Sequence, residues 1–265
     1  MDRDELAELF SQGAALRPVP QQRIREKVDA CMSRRDYARV ERTLLYWLDE
    51  ARAAGDRRGQ LMIRGEMIGH YRKTGEKDKA RESEEDALRL LREMDFASSL
   101  SAATTYVNIA TARCAFGENE EALGFFKKAR EIYESSPGVT PELLGGLYNN
   151  MGLCCAALRR YDEALALYEM ALSQMEKTPG GALERAVTKL NMANSLEDRD
   201  GMESAEHSIF FLLDEALLLL NGDGFPRDGY YAYVCEKCAP VFDYYGYFAD
   251  GAELKRRAEE IYERA

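Results

Sequence analysis

Histidine is scarce in this chain, with two copies in 265 residues, and tryptophan occurs once. Two imidazoles leave little for general-base chemistry, and no Ser/His/Asp arrangement, glycine-rich phosphate loop or His-Glu metal motif is present. No catalytic residue and no cofactor is therefore expected, and the chain does not read as an enzyme. A long apolar run is also missing: the longest, 209–220, is broken by Asp214 and Glu215 and falls short of the roughly 20 residues a bilayer span needs. The first residues, Met1 to Glu5, carry no basic segment leading into an apolar one, so no export signal and no membrane partner is expected, and the chain is placed in the cytoplasm. Positive charge is outnumbered, 36 Lys and Arg against 47 Asp and Glu, giving a net charge of -11, which repels a nucleic-acid backbone. Cysteines 31, 114, 154, 155, 235 and 238 are expected to stay reduced in that compartment. Cys235 and Cys238 form a C-x-x-C, but a zinc site needs four ligands and no second pair lies at useful spacing, while His70 and His207 fall in different repeats. No metal site is assigned.

What the chain has is a period. Leu45, Ala87, Ala129 and Ala171 are each 42 residues apart, Ala216 follows after 45 and Ala258 after another 42. A second small residue precedes most of them by seven: Ala38, Ala80, Ala122, Ala164 and Gly251, with either Ile209 or Ala205 taking that place in the fifth unit. Spacing of seven puts both small side chains on one helical stripe, where a neighbouring helix can approach closely. That stripe marks the second helix of a pair. The first helix shows Asn, an apolar residue and a small residue in succession at Asn108–Ala110, Asn150–Gly152 and Asn191–Ala193. Polar turns begin at Gly75, Gly117 and Arg159, and Pro137, Pro141 and Pro179 with their glycines separate one pair from the next.

These residues resemble the tetratricopeptide repeat, the match being Tyr106, Asn108, Ala110, Gly117, Ala122, Phe126 and Ala129, then Tyr148, Asn150, Gly152, Tyr161, Ala164, Tyr168 and Ala171. The usual repeat is 34 residues. The longer period here is similar to the lengthened repeats of kinesin light chains and of many bacterial tetratricopeptide proteins. The resemblance implies an all-α, right-handed superhelical solenoid of about six antiparallel helix pairs, in approximate units 19–55, 56–102, 103–140, 141–181, 182–224 and 225–265. Ahead of the 19–265 repeat domain, residues 1–18 read as an arm or capping helix, with Leu6, Leu9 and Phe10 on one side of 2–12 and Pro18 and Pro20 ending it. Departures fall at Arg42 and Glu84 in place of the aromatic, at Ile68 in place of the small residue, and at Pro240 inside the sixth first helix.

The resemblance also implies a function: the first helices line a groove that holds a protein or peptide. Asn108, Asn150 and Asn191 share one register, with Asn149 and Asn194 beside them, and an amide can pair with both the N–H and the C=O of an extended chain. The alternative is that these asparagines bond neighbouring helices. Tyr231 and Tyr245, among the aromatics of 225–248, are the candidate groove aromatics, against their serving as core of the last pair. Arg23, Lys27, Arg72, Lys73 and Lys237 supply cations, none in the asparagine register of the third to fifth units, so a full carboxylate clamp is not expected. Two other roles stand beside the adaptor: a peptide-sensing regulator, and a structural protein that forms homo-oligomers through the end of its array.

Overall fold

A computed structural model describes residues 17–264, so the stretch 2–12 expected to be amphipathic lies outside the described residues. Among the described residues there are twelve α-helices and no strand, the all-α helical repeat that the period implies. The chain divides into two compact units, Met1–Glu118 and Asn119–Ala265.

The first unit holds α1 (Gln21–Ser33), α2 (Tyr37–Ala53), α3 (Arg57–Thr74), α4 (Lys77–Glu93) and α5 (Leu100–Ala115). Its helices start where short polar side chains can satisfy exposed amides: Asp36 accepts from Arg39 N, Asp56 from Gly59 N and Ser99 from Ala102 N. Asp56 also accepts from the backbone N–H of Val19 at 2.9 Å, fixing the chain's entry into α1 against the start of α3. Left-handed Gly75 ends α3, as its position in a predicted turn requires. Ile24, Val28, Val40, Leu44, Leu48, Ile63 and Met67 form the core, with Trp47 packed partly buried at its edge.

The expected stripe of the first pair is corrected here. Ala38 is exposed and Leu45 is 43% exposed, whereas Val40 and Leu44 are fully buried. The reason is the helix start. Second helix α2 begins at Tyr37 and α4 at Lys77, two residues short of the 42-residue period, so Val40 and not Ala38 matches Ala80. The positions corresponding to Ile68 and Glu84 in the second unit are Gly152 and Tyr168, a small residue against a large one; Ile68 and Glu84 are themselves both buried. Glu84, 4% exposed, is neutralised by Arg113 of α5, whose Nε lies 3.0 Å away. Arg64, 3% exposed, is likewise paired with Asp86 and near Ser83.

The second unit holds α6 (Asn119–Ser135), α7 (Pro141–Ala157), α8 (Tyr161–Met175), α9 (Ala182–Asp200), α10 (Met202–Asn221), α11 (Gly229–Tyr244) and α12 (Phe248–Arg264). Helices α7 and α8, α9 and α10, and α11 and α12 pack as pairs through short connections, and α9 also packs against α7 and α11. Gly152 lets α7 approach α8: a Cβ there would meet the Tyr168 ring at 2.4 Å. Register of the fifth pair is settled by α10, which starts at Met202 and buries Ala205 as its first small residue. Extra residues of that unit therefore lie after this point, in the 20-residue α10 and in 222–228. A single residue, Gly201 at φ 80 and ψ 155, joins α9 to α10. Pro240 does not break α11, which runs through it. Cys154, Cys155, Cys235 and Cys238 are all buried with free thiols rather than disulfides, small hydrophobes of the first helices.

Candidate functional site

Each unit has its own polar face on its first helices. In the first unit, α1, α3 and α5 line a cavity of about 490 Å³ whose wall includes Asn108, Arg25, Arg58, Glu66 and Phe96. Asn108 is half-buried and faces Gly65 of α3, where an added Cβ would come within 3.4 Å of its Nδ2. Glycine at 65 thus leaves the amide room. Arg58 lies 4.9 Å over the Phe96 ring, and Arg25 stands 3.5 Å from Glu66. Burial pushes the Glu66 carboxyl above its ordinary range, with Arg25 opposing that shift.

In the second unit a row of hydrogen bonds crosses from α7 to α9 and on to α11. Asn149 Oδ1 accepts from Asn191 Nδ2 at 3.0 Å and from the Thr188 hydroxyl at 3.1 Å. The Tyr245 hydroxyl donates to Glu197 at 2.7 Å and lies 3.1 Å from Asn194 Oδ1. Asn149 Oδ1 is thus taken by two donors, and among the described residues its Nδ2 has no hydrogen-bond acceptor. Asn150 and Asn191 are half-buried beside them. Sequence spacing put Asn150 in register with Asn191; the bonded partner is Asn149, 42 residues from Asn191 and so at the full repeat period. Thr188, Glu184 and Glu197 escaped sequence reasoning, because nothing in their spacing distinguishes them from other helix-surface residues.

The aromatics divide into two groups. Tyr231 is 1% exposed: its ring stacks on Phe225 at 5.5 Å, Arg227 lies 4.2 Å over it, and its hydroxyl reaches Leu220 O. Tyr245 is buried too, and its hydroxyl joins the amide row. Open aromatic surface comes instead from Tyr230, which donates to Glu184 at 2.9 Å and stacks on Tyr233, and from Tyr244, which donates to Glu197 at 2.8 Å. Burial and Glu184 raise the Tyr230 phenol well above its ordinary range, and the Glu197 hydrogen bond raises Tyr244. Both stay protonated donors at neutral pH.

One group among the described residues has metal-ligand atoms within 4.8 Å of one another: Glu41, His70 and Glu76. Its cation is built in. Lys79 Nζ lies 2.8 Å from Glu41 and 2.5 Å from Glu76, and 5.3 Å over the Tyr71 ring. The imidazole is kept below its ordinary pKa by burial.

Comparison with known proteins agrees with this architecture. Residues 143–208 match the tetratricopeptide repeat family model, a stretch that contains Asn149, Asn150, Asn191 and Asn194. No curated protein matches the sequence. Among solved structures, BtubC (BKLC) from P. vanneervenii is similar at 21% identity and a TM-score of 0.63 over 77% of this chain and 83% of its own. The nearly identical TPR-like repeats of a Podosopora anserina kinesin light chain give 15% identity and a TM-score of 0.53, over 76% of this chain and 94% of theirs. A Rap protein complexed with competence and sporulation factor gives 13% identity and a TM-score of 0.57, over 98% of this chain and 80% of its own. At these identities the likeness is one of fold.

Proposed function

We propose that this chain, with tetratricopeptide repeats over 143–208, is a non-enzymatic interaction protein whose first-helix faces hold a polypeptide partner in an extended form. The observation that carries the reading is the hydrogen bonding of Asn149 in the second unit. Its oxygen is spent on internal hydrogen bonds, and its Nδ2 donors are left for a guest. Backbone carbonyls of a guest chain are the complementary groups. Exposed Tyr230, Tyr233 and Tyr244 add amphipathic surface of the kind common at interfaces. In the first unit Asn108 would play the equivalent part in its cavity. Each hydrogen bond is worth about 0.5–1.5 kcal/mol net, while micromolar affinity needs about 8 kcal/mol, so the tyrosines have to contribute most of the affinity. The structural likeness to a Rap protein complexed with competence and sporulation factor supports a peptide as the form of guest. A peptide-sensing regulator would use this same face.

Asn149→Asp tests the reading. The substitution keeps the acceptor for Thr188 and Asn191 and removes the Nδ2 donors. Partners recovered by affinity purification from the native cell and identified by mass spectrometry should fall at least about 5-fold in the variant, the equivalent of one lost hydrogen bond, while far-UV circular dichroism stays unchanged. Equal recovery of the same partners by a folded variant would remove the amide row from the site.

A further inference from the structure

Among the described residues, glutamates drawn even partly out of water are answered by a cation. Glu41 pairs with Lys79, Glu84 with Arg113 and Glu215 with Lys189, and the same holds for Glu66, Glu76, Glu118, Glu253 and Glu260. Two half-buried glutamates break the rule: Glu184 and Glu197, near the two ends of α9, have no ion-pair partner among the described residues. Phenols hold them instead. Glu184 accepts from Tyr230 at 2.9 Å, and Glu197 accepts from Tyr244 at 2.8 Å and from Tyr245 at 2.7 Å. A phenol O–H fixes a carboxylate in place but leaves its charge whole, so each acid is kept partly desolvated with no counter-charge. Asp214, which accepts from Tyr247, differs in being exposed, where water solvates it. Arg199, close to Glu197 in the chain, is spent on Asp162 and Asp200.

The rings of the same tyrosines flank the two acids. Tyr230 stacks on Tyr233 with centroids 6.4 Å apart, and Tyr244 meets Tyr245 edge-on at 4.9 Å. Tyr230, Tyr233 and Tyr244 are all exposed. Open aromatic faces beside a carboxylate attract a cation through the ring quadrupole as well as through the charge. We propose that Glu184 with Tyr230 and Tyr233, and Glu197 with Tyr244 and Tyr245, are two seats for lysine or arginine side chains, so that the segment held by this face is a basic one. The proposal rests on the reading that the first-helix faces hold an extended polypeptide, and adds the guest's charge to it. The seats lie about 20 Å apart along α9 at about 1.5 Å per residue, with Thr188 and Asn191 of the amide row between them. They are not equivalent. Glu184 stands in the first turn of α9, where the helix end favours negative charge, and Glu197 in the last turn, where it opposes it. Glu197 therefore gains more from a guest's cation.

An array of random peptides of about ten residues, enough at about 3.3 Å each to span both seats, tests this with the full chain. Salt at about 0.15 M limits attraction by net charge alone to about 8 Å. Peptides selected by the wild type should exceed the array average in Lys and Arg by at least about 2-fold, the lower end of what one exposed cation–π contact gives. E184Q/E197Q keeps an acceptor for each tyrosine and should still select peptides, with the basic excess gone. E203Q/E206Q removes the same charge from exposed positions on α10 and should leave the excess intact. Far-UV circular dichroism checks that both variants are folded. Selection by the wild type without a basic excess overturns the proposal and leaves the extended-guest reading standing. So does an excess that survives E184Q/E197Q, or one lost equally in E203Q/E206Q. A wild-type chain that selects no peptide sinks that reading, and this proposal with it.

Discussion

Two glycines of α7 offer a controlled test of how tightly the repeat is packed. Gly145 and Gly152 are both inside the helix, so alanine at either should gain about 0.8–1 kcal/mol of helix propensity. Their surroundings differ. A Cβ at 152 would lie 2.4, 2.7 and 3.0 Å from Cε1, Cδ1 and Cζ of Tyr168, a ring that is 0% exposed. A Cβ at 145 meets the Met175 side chain, closest at its terminal Cε. A buried ring held on all sides cannot withdraw, and overpacking of this kind costs about 1–3 kcal/mol; a thioether chain has three rotatable bonds and can move aside. With a contact as close as 2.4 Å the cost falls in the upper part of that range, about 2–3 kcal/mol, so Gly152→Ala is expected to lose about 1–2 kcal/mol net, a fall in melting temperature of roughly 2–8 °C at about 2–4 °C per kcal/mol for a chain of this size. Gly145→Ala should stay within about 1 kcal/mol of the parent. Urea titration, read by far-UV circular dichroism with the slope checked for constancy, separates the two. The reasoning fails if Gly152→Ala is as stable as the parent or is the milder of the pair.

Three further outcomes follow from buried polar groups. Asp86→Asn leaves Arg64, 3% exposed, without its main counter-charge, and the same titration should show a loss of about 3–5 kcal/mol. His70 is kept below its ordinary 6.5 chiefly by burial; the unfolded chain then binds a proton that the folded one refuses, so stability is full above pH about 6.5 and falls below it, by at most about 1.4 kcal/mol per pH unit. His70→Phe should flatten that part of the stability profile measured between pH 7 and 5. Burial raises the Cys155 thiol to about 11 and the Cys238 thiol to about 12, so a thiol reagent at neutral pH should modify half-buried Cys114 first and all six thiols only after unfolding.

The period was legible because it rests on volume: small residues recur where two helices nearly touch, and Ala80, Ala122, Ala164 and Gly251 are all buried. It misplaced the first pair because α2 begins two residues later than the 42-residue period puts it, so that Val40 and Leu44 are buried where Ala38 and Leu45 were expected, and no single residue announces the shift. Asparagine positions could be read from the chain, but which of their atoms remain available could not. That depends on partners a repeat away, Thr188 and Asn191 for Asn149 and Tyr245 for Asn194. The buried tyrosines illustrate the same gap: Tyr231 and Tyr230 are adjacent in sequence and alternate in fate, one inside at 1% exposure and one outside at 50%.

Gly201 sets a rule for where this chain can tolerate length change. With φ 80 and ψ 155 it occupies a backbone region open essentially to glycine, and it is the whole of the corner between α9 and α10. No slack exists at that corner. One residue inserted there would rotate α10 by about 100°, turning Ile209, Leu213 and Ala216 away from the core, so frame is kept at the corner and length has accumulated downstream, across 222–228. Lineages of this protein should show insertions and deletions on the second side of the fifth pair and none on the first.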